Sequence, residues 1–356
     1  MRRKLLRIAL IFVLLFVGCG RQYGELNAEP QGPASSEKVE MPAVIQPSVA
    51  GSFYPANADA LNTDIAGYLK SANPPKIEGE IIAVIVPHAG YPYSGPIAAY
   101  AYKAISEQAR DAERKLDSVV VVAFNHRGAA KGVSVYHRGA METPLGKQPV
   151  NETVAREFMA SDPRISFVRG AFVGEHSAEV QLPFIQTILP DTPLVPIVFG
   201  QQGFEEVEAV SAGLERIARK NRVLVVGTSD LSHYNPYSRA NAIDAETVNQ
   251  ILKGNPREMA RYVTQHYDRL CGPGPVLAVL SYAESKGAEP VLLKYANSGD
   301  TAGSKDSVVG YAAIAFVKKK TPGSGKATDR APSAPGSRSE SDSYSLSDGD
   351  KETLLR

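Results

Sequence analysis

Cysteine is almost missing from this sequence: 356 residues hold two, Cys19 and Cys271, so a disulfide framework is excluded. An excess of either charge is missing too, with 39 Lys and Arg against 38 Asp and Glu and a net charge of +1. A near-neutral chain with no extended basic run in its body is not built to neutralise phosphates, which excludes nucleic acid as a partner. No apolar run reaches the roughly 20 residues that a membrane-crossing helix needs. No internal repeat stands out, which sets aside stacked-repeat architectures. What remains is ordinary globular composition, 43% hydrophobic and 22% charged, and this excludes wholesale disorder.

The two ends differ from the middle. The N-terminus reads MRRKLLRIALIFVLLFVGCG: a basic start, an apolar run from Ile8 to Val17, then Gly18-Cys19. These are the proportions of a signal peptide, and Phe16-Val17-Gly18-Cys19 resembles a bacterial lipobox, in which cleavage precedes a cysteine that carries lipid. The expectation is a lipoprotein signal peptide over 1–18, lipid on Cys19 and a flexible polar tether over 19–40. The protein would then be anchored in the bacterial cell envelope, facing the periplasm or exterior, with the membrane as a partner through its lipid. The leader holds four basic residues and no acid, so the rest of the chain carries −3. At the other end, 15 of the 36 residues from Thr321 to Arg356 are Ser, Pro or Gly; such a tail cannot bury enough apolar surface to offset its ordering entropy. The folded domain is expected over 41–320, long enough for one well-buried core.

Within it, strand and helix signals alternate. Ile81–Val86, Val119–Phe124, Leu194–Phe199 and Arg222–Gly227 are continuous apolar, β-branched runs, as strands buried on both faces should be. Helices are predicted from a Ser94 cap to Gln108, from an Asn151 cap to Met159, over Ser177–Leu189 with Pro183 either kinking it or marking its true start, and over Phe204–Lys220. Further helices are predicted near Ser238–Leu252, Pro256–Gln265 and Pro275–Lys286, with closing strands at Val291–Tyr295 and Val308–Val317. This alternation predicts an α/β fold with a mostly parallel central sheet and helices on both faces.

Ligands of such sheets bind beyond the carboxyl ends of the strands. There the first run is followed by Pro87-His88-Ala89-Gly90, the second by Asn125-His126 and the fourth by Thr228-Ser229-Asp230-Leu231-Ser232-His233. The chain has only six histidines, and three of them follow buried strands. Converging His and Asp are what a metal or proton-transfer site requires. Plainer roles compete: Asp230 could be a helix N-cap, with His233 in the first turn, and His176, in Glu175-His176-Ser177, could cap the helix after it. His137 and His266 sit among surface-like residues. Cys271, in a turn before a helix, is either a buried inert thiol or a thiolate favoured by the helix N-terminus.

PHAGYPYSGPIAAYAY, NH, TPLGKQPVN, EHSAEVQLPF, TSDLSHY, CGPGP and YANSGDTAGSKDSVVGYAA follow one another in this order, with AGSFYP (Ala50–Pro55) upstream of them, and the match runs from about Pro47 to Phe316. In this order and spacing they resemble the Memo-like family. The resemblance implies a fold similar to class III extradiol dioxygenases. It implies metal ligands at His88, His126 and Cys271, with iron (Fe2+) or copper as the cofactor. Asp230 and His233 match neighbouring site residues, and His176 a further shared motif; these three are the candidates for acid–base work. The chain departs from the common pattern in having Asn125-His126-Arg127 where many members carry adjacent histidines, and in its export signal.

Two functions follow from that set. One is a metal-dependent oxidoreductase with an open coordination position, the thiolate favouring a softer metal. The other is a non-catalytic lipoprotein that holds metal, or binds a small molecule or peptide.

Overall fold

The computed structural model describes residues 41–110, 115–128 and 130–319. The leader, tether and tail expected at 1–18, 19–40 and 321–356, and with them Cys19, lie outside the described residues.

The described strands are β1 (Val44–Ile45), β2 (Glu80–Val86), β3 (Ser118–Phe124), β4 (Val133–Val135), β5 (Ala140–Thr143), β6 (Gly146–Pro149), β7 (Ile165–Ser166), β8 (Leu194–Phe199), β9 (Val223–Thr228), β10 (His233–Asn235), β11 (Ala288–Asn297) and β12 (Val308–Lys318). The described helices are α1 (Ala58–Ser71), α2 (Tyr91–Arg110), α3 (Glu152–Met159), α4 (Leu182–Ile188), α5 (Phe204–Ile217), α6 (Tyr237–Leu252), α7 (Pro256–Gln265), α8 (Pro273–Ser285) and α9 (Ser298–Thr301).

The four apolar runs become the centre of a nine-stranded sheet, in the order β2-β9-β3-β8. All three of these pairings are parallel, and nearly every residue in the four strands is buried. Fully burying one Val, Leu or Ile contributes about 1.5–3 kcal/mol, so these strands form the core by composition alone. The flanks run the other way: β12 pairs antiparallel with β2, β10 and β11 pair antiparallel with β12, and β4 pairs antiparallel with β8. The segment 298–307 between β11 and β12 is too short for a parallel crossover, which takes a dozen or more residues. Helices cover both faces. On one, α2 packs on β2 and β12 with α1 and α4 against it; on the other, α8 packs on β9, β3 and β2 with α5 and α7 against it.

Local signals set several boundaries. Asn151 caps α3, its side chain accepting from Val154 N at 3.2 Å. Pro183 marks the start of α4 and does not kink it. Ser94 is not a cap: α2 begins three residues earlier, with Pro92 in its first turn, and the Ser94 hydroxyl donates to Ala89 O at 2.7 Å. A proline costs nothing in that first turn, where its missing N–H would have no intrahelical partner. Helix α1 comes from a local signal outside the apolar runs: Asn57 caps it through Ala60 N at 3.0 Å, and Leu61 and Ile65, one turn apart, are its buried residues. No helix among the described residues is long and apolar enough to cross a membrane.

Candidate metal centre

Strands β2, β9 and β3 are parallel neighbours, with Val86 opposite Thr228 and Val122 opposite Gly227. Their carboxyl ends therefore meet at one edge of the sheet. The residues that follow them must meet there too, although more than a hundred residues separate His88 from Asp230.

His88 is the hub of the cluster. It is 1% exposed, and its ring nitrogen Nδ1 lies 2.6 Å from the Thr228 hydroxyl. That contact leaves Nε2 to face the cluster. The ring stands edge-on to those of His126 and His176, with centroids at 5.1 and 5.5 Å. His126 and His176 are stacked on each other at 4.3 Å. Phe124 packs against His126 at 4.1 Å and Phe53 against His176 at 4.6 Å, so apolar rings hold both imidazoles in place. Their outer edges remain open: the His126 side chain is 30% exposed and that of His176 18%.

Behind these two histidines sits the buried carboxylate of Glu175. It accepts from His126 Nδ1 at 3.0 Å and from the backbone N–H groups of His126, His176 and Ser177 at 2.7–2.9 Å. His176 Nδ1 stands 3.6 Å from the same oxygen. Burial works to raise the Glu175 pKa, but hydrogen bonds from His126 and the Ser177 N–H hold it down at about 2. Burial and the neighbouring His126 push His176 down to about 4. Burial above all, then the three nearby histidines, pushes His88 well below the usual imidazole range. Neutral imidazoles with free lone pairs are the form that ligates metal.

Asp230 and Cys271 occupy the other side of His88. Asp230 caps no helix, since the short strand β10 follows it. Its carboxylate instead accepts the backbone N–H of His88 at 2.8 Å and so fixes the loop that carries the hub. Burial raises its pKa to about 6, against the His88 N–H bond that lowers it. The Cys271 sulfur lies 3.2 Å from His88 Nε2 and accepts the Asp230 N–H at 3.2 Å. Cys271 is partly exposed as a residue, yet its sulfur is enclosed: burial, then the Asp230 charge, push the thiol far above its ordinary value. Of the two roles the sequence left open, this favours the buried thiol over the thiolate. Desolvation and a buried acid outweigh one helix terminus.

His233 Nδ1 donates to Leu231 O at 2.8 Å, and the ring is close enough to Asp230 and His88 for its charge to act on theirs. The next residue, Tyr234, is the described non-glycine residue with positive φ, at 59°. It bulges where β10 slips register against β12. His137 and His266 take no part; they pack on Phe167 and Tyr262 respectively.

Among the described residues, two groups have ligand atoms all within 4.8 Å of one another: His88, His126 and His176, and His88, Asp230 and Cys271. His126 and Cys271, expected from the family resemblance to bind one ion together, fall in different groups. The donor chemistry fits a transition metal: imidazole suits iron, copper and zinc, and thiolate adds preference for softer ions. Sequence reasoning found His88, His126, His176, Asp230, His233 and Cys271 but passed over Thr228, the first polar residue after the β9 apolar run, and gave Glu175 no role.

Comparison with known proteins agrees with the motifs. The family described as Memo-like protein matches residues 46–315. A MEMO1 family protein of Sulfurisphaera tokodaii is 34% identical over 283 residues, 76% of this chain and 98% of the relative. One from Pyrobaculum arsenaticum is 36% identical over 284 residues, 77% and 99% of the two chains. The crystal structure of the uncharacterized protein JW3007 from Escherichia coli K12 superposes with a TM-score of 0.45 at 13% identity, covering 66% of this chain and 99% of that one.

Proposed function

The chain belongs to the Memo-like family, and from that premise we propose that it is a metal-dependent oxidoreductase whose iron or copper ion is centred on His88. One observation carries this reading: three imidazoles converge at the carboxyl edge of the sheet, the innermost fully buried and the outer two partly open. A closed shell would suit storage, whereas a protein-lined metal with one open side leaves a position for a small molecule. The bound ion would supply Lewis acidity and single-electron chemistry.

The protein's own groups do the rest. His88 and His126 present Nε2, because Thr228 and Glu175 occupy their Nδ1 atoms; such outer partners orient ligands and raise their basicity. Asp230, held near 6 in a buried position, can hold or release a proton close to neutral pH. His233, its Nδ1 committed to Leu231 O, keeps Nε2 for the same proton. The substrate is a small molecule that approaches over the exposed edges of His126 and His176. The enzyme works at the cell envelope, tethered by lipid on Cys19.

Elemental analysis tests this. The full chain purified without oxygen should carry near-stoichiometric iron or copper, and His88→Ala should carry almost none. Equal metal content in the two proteins would remove the basis of the proposal.

A further inference from the structure

A line of aromatic rings leads from the histidine cluster to the surface. Phe53 packs on His176 with ring centroids at 4.6 Å; its chain neighbour Tyr54 lies 5.5 Å from Tyr91, which meets Tyr68 edge-on at 6.3 Å. Tyr54 and Tyr91 are buried, whereas Tyr68, on α1, is half-buried and reaches solvent. Helix α2 makes room for Tyr68: a Cβ at Gly95 would come within 2.9 Å of its ring. A glycine costs about 0.5–1 kcal/mol in a helix interior, and here it lets that ring lie down. The chain holds 16 tyrosines and no tryptophan, so tyrosine is the aromatic side chain most readily oxidised.

We propose that Tyr54 and Glu179 form a redox-active pair that takes up one-electron oxidising equivalents escaping from the histidine cluster. The source of those equivalents rests on the oxidoreductase reading above; the pair itself does not.

Removing an electron from a phenol makes its proton strongly acidic, so a buried tyrosine yields an electron readily only where a base takes that proton. Tyr54, Tyr91 and Tyr102, the last linked to Tyr91 through Phe184, differ in what their hydroxyls meet. Tyr91 donates to the Val180 carbonyl and Tyr102 to the Gln181 amide oxygen, each at 2.8 Å. Neither acceptor is a base. Tyr54 donates to Glu179 Oε1 at 2.5 Å, a short bond of the kind that a carboxylate makes with a hydroxyl. Glu179 is buried, and burial raises its carboxyl above the ordinary value, which suits it to hold a proton. The carboxylate does not need the phenol to be satisfied, because the backbone N–H groups of Ser48 and Val49 donate to its two oxygens at 2.6 and 3.0 Å.

The step balances as follows. A peroxide-derived oxidant of the hydroxyl-radical class takes one electron from Tyr54 and becomes hydroxide. The Tyr54 O–H bond breaks and its proton forms a new O–H bond on Glu179, leaving a neutral phenoxyl radical beside a carboxylic acid. A soluble one-electron reductant such as ascorbate returns the electron at Tyr68, by way of Tyr91, and the proton goes back from Glu179 to the Tyr54 oxygen.

Electron paramagnetic resonance provides the test. Metal-free full-length protein is oxidised with flash-generated tris(bipyridine)ruthenium(III), alongside Tyr54→Phe, Glu179→Gln and Tyr295→Phe. Radicals on the exposed Tyr93, Tyr234 and Tyr267 couple and decay quickly, so a shielded radical stands out by its persistence. Wild type should show a long-lived tyrosyl signal that is lost in Tyr54→Phe and Glu179→Gln. Tyr295→Phe should keep it, although Tyr295 also meets a carboxylate, Asp244 at 2.8 Å. Tyr54→Phe removes one oxygen and leaves the Ser48 and Val49 bonds in place, so it isolates the phenol from the fold. Absence of a long-lived radical in wild type, or equal persistence in Tyr54→Phe, overturns the pair. In a second arm, protein loaded with Fe2+ and desalted receives hydrogen peroxide and should form the same signal. A signal from ruthenium but none from peroxide overturns the link to the histidine cluster. Failure to retain iron at all, read by elemental analysis, overturns the metal reading and is distinct from both.

Discussion

At the scale of single residues, the informative groups are buried acids with opposite tendencies. Glu175 is held at about 2 against an ordinary 4.5. A depressed carboxyl contributes stability that is present above the ordinary value and lost as pH falls toward the folded one. At about 1.36 kcal/mol per unit the contribution is on the order of 3 kcal/mol. Burial raises Glu179, Asp230 and Asp244 instead, so acidification through their range favours the folded state. Wild-type acid stability therefore mixes both signs, and the clean observable is a difference. Glu175→Gln should lower the urea midpoint at about pH 6, and its gap from wild type should narrow toward about pH 3 as the carboxyl takes up its proton in the unfolded chain while the native one stays ionised. A gap that stays constant would mean that the ion is not what stabilises.

At the scale of elements, two glycines seat helix α8 on the sheet and so bring Cys271 beside His88. A Cβ at Gly227 in β9 would come within 2.5 Å of the Val279 side chain, and one at Gly272, the residue before α8, within 2.7 Å of the Thr228 carbonyl. The second neighbour is backbone at the end of the strand that carries the site, so it cannot step aside. Gly272→Ala should destabilise by about 1–3 kcal/mol through overpacking. Gly67, on the exposed side of α1, has open space around it, and Gly67→Ala should stabilise by roughly 0.5–1 kcal/mol because alanine suits a helix interior. Melting temperatures of the two variants check both signs. If Gly272→Ala melts like wild type, the close approach of helix to strand is not what holds that corner.

At the scale of the whole molecule, the export reading and the histidine cluster belong to different parts of the chain. The lipobox reading predicts that Cys19→Ser abolishes palmitate labelling and releases the protein from membranes; a variant that stays as firmly bound would refute it. The sheet centre was legible in the sequence because strands buried on both faces are written as unbroken apolar runs, such as Val119–Phe124. The site was half legible for a related reason: in a parallel sheet the polar residues just after neighbouring strands share one edge, so His88, His126 and Asp230 could be found by reading onward from each run. The antiparallel pairing of β11 with β12 followed from a connection too short to cross over. Sequence alone determined which residue types gather at the edge and that the fold is α/β. Only the tertiary structure decided their partners: that Asp230 holds the His88 backbone, that Glu175 serves two imidazoles, and that His126 and Cys271 lie on different sides of His88. Those pairings depend on distances of a few ångströms between loops far apart in the chain, and no local propensity encodes them.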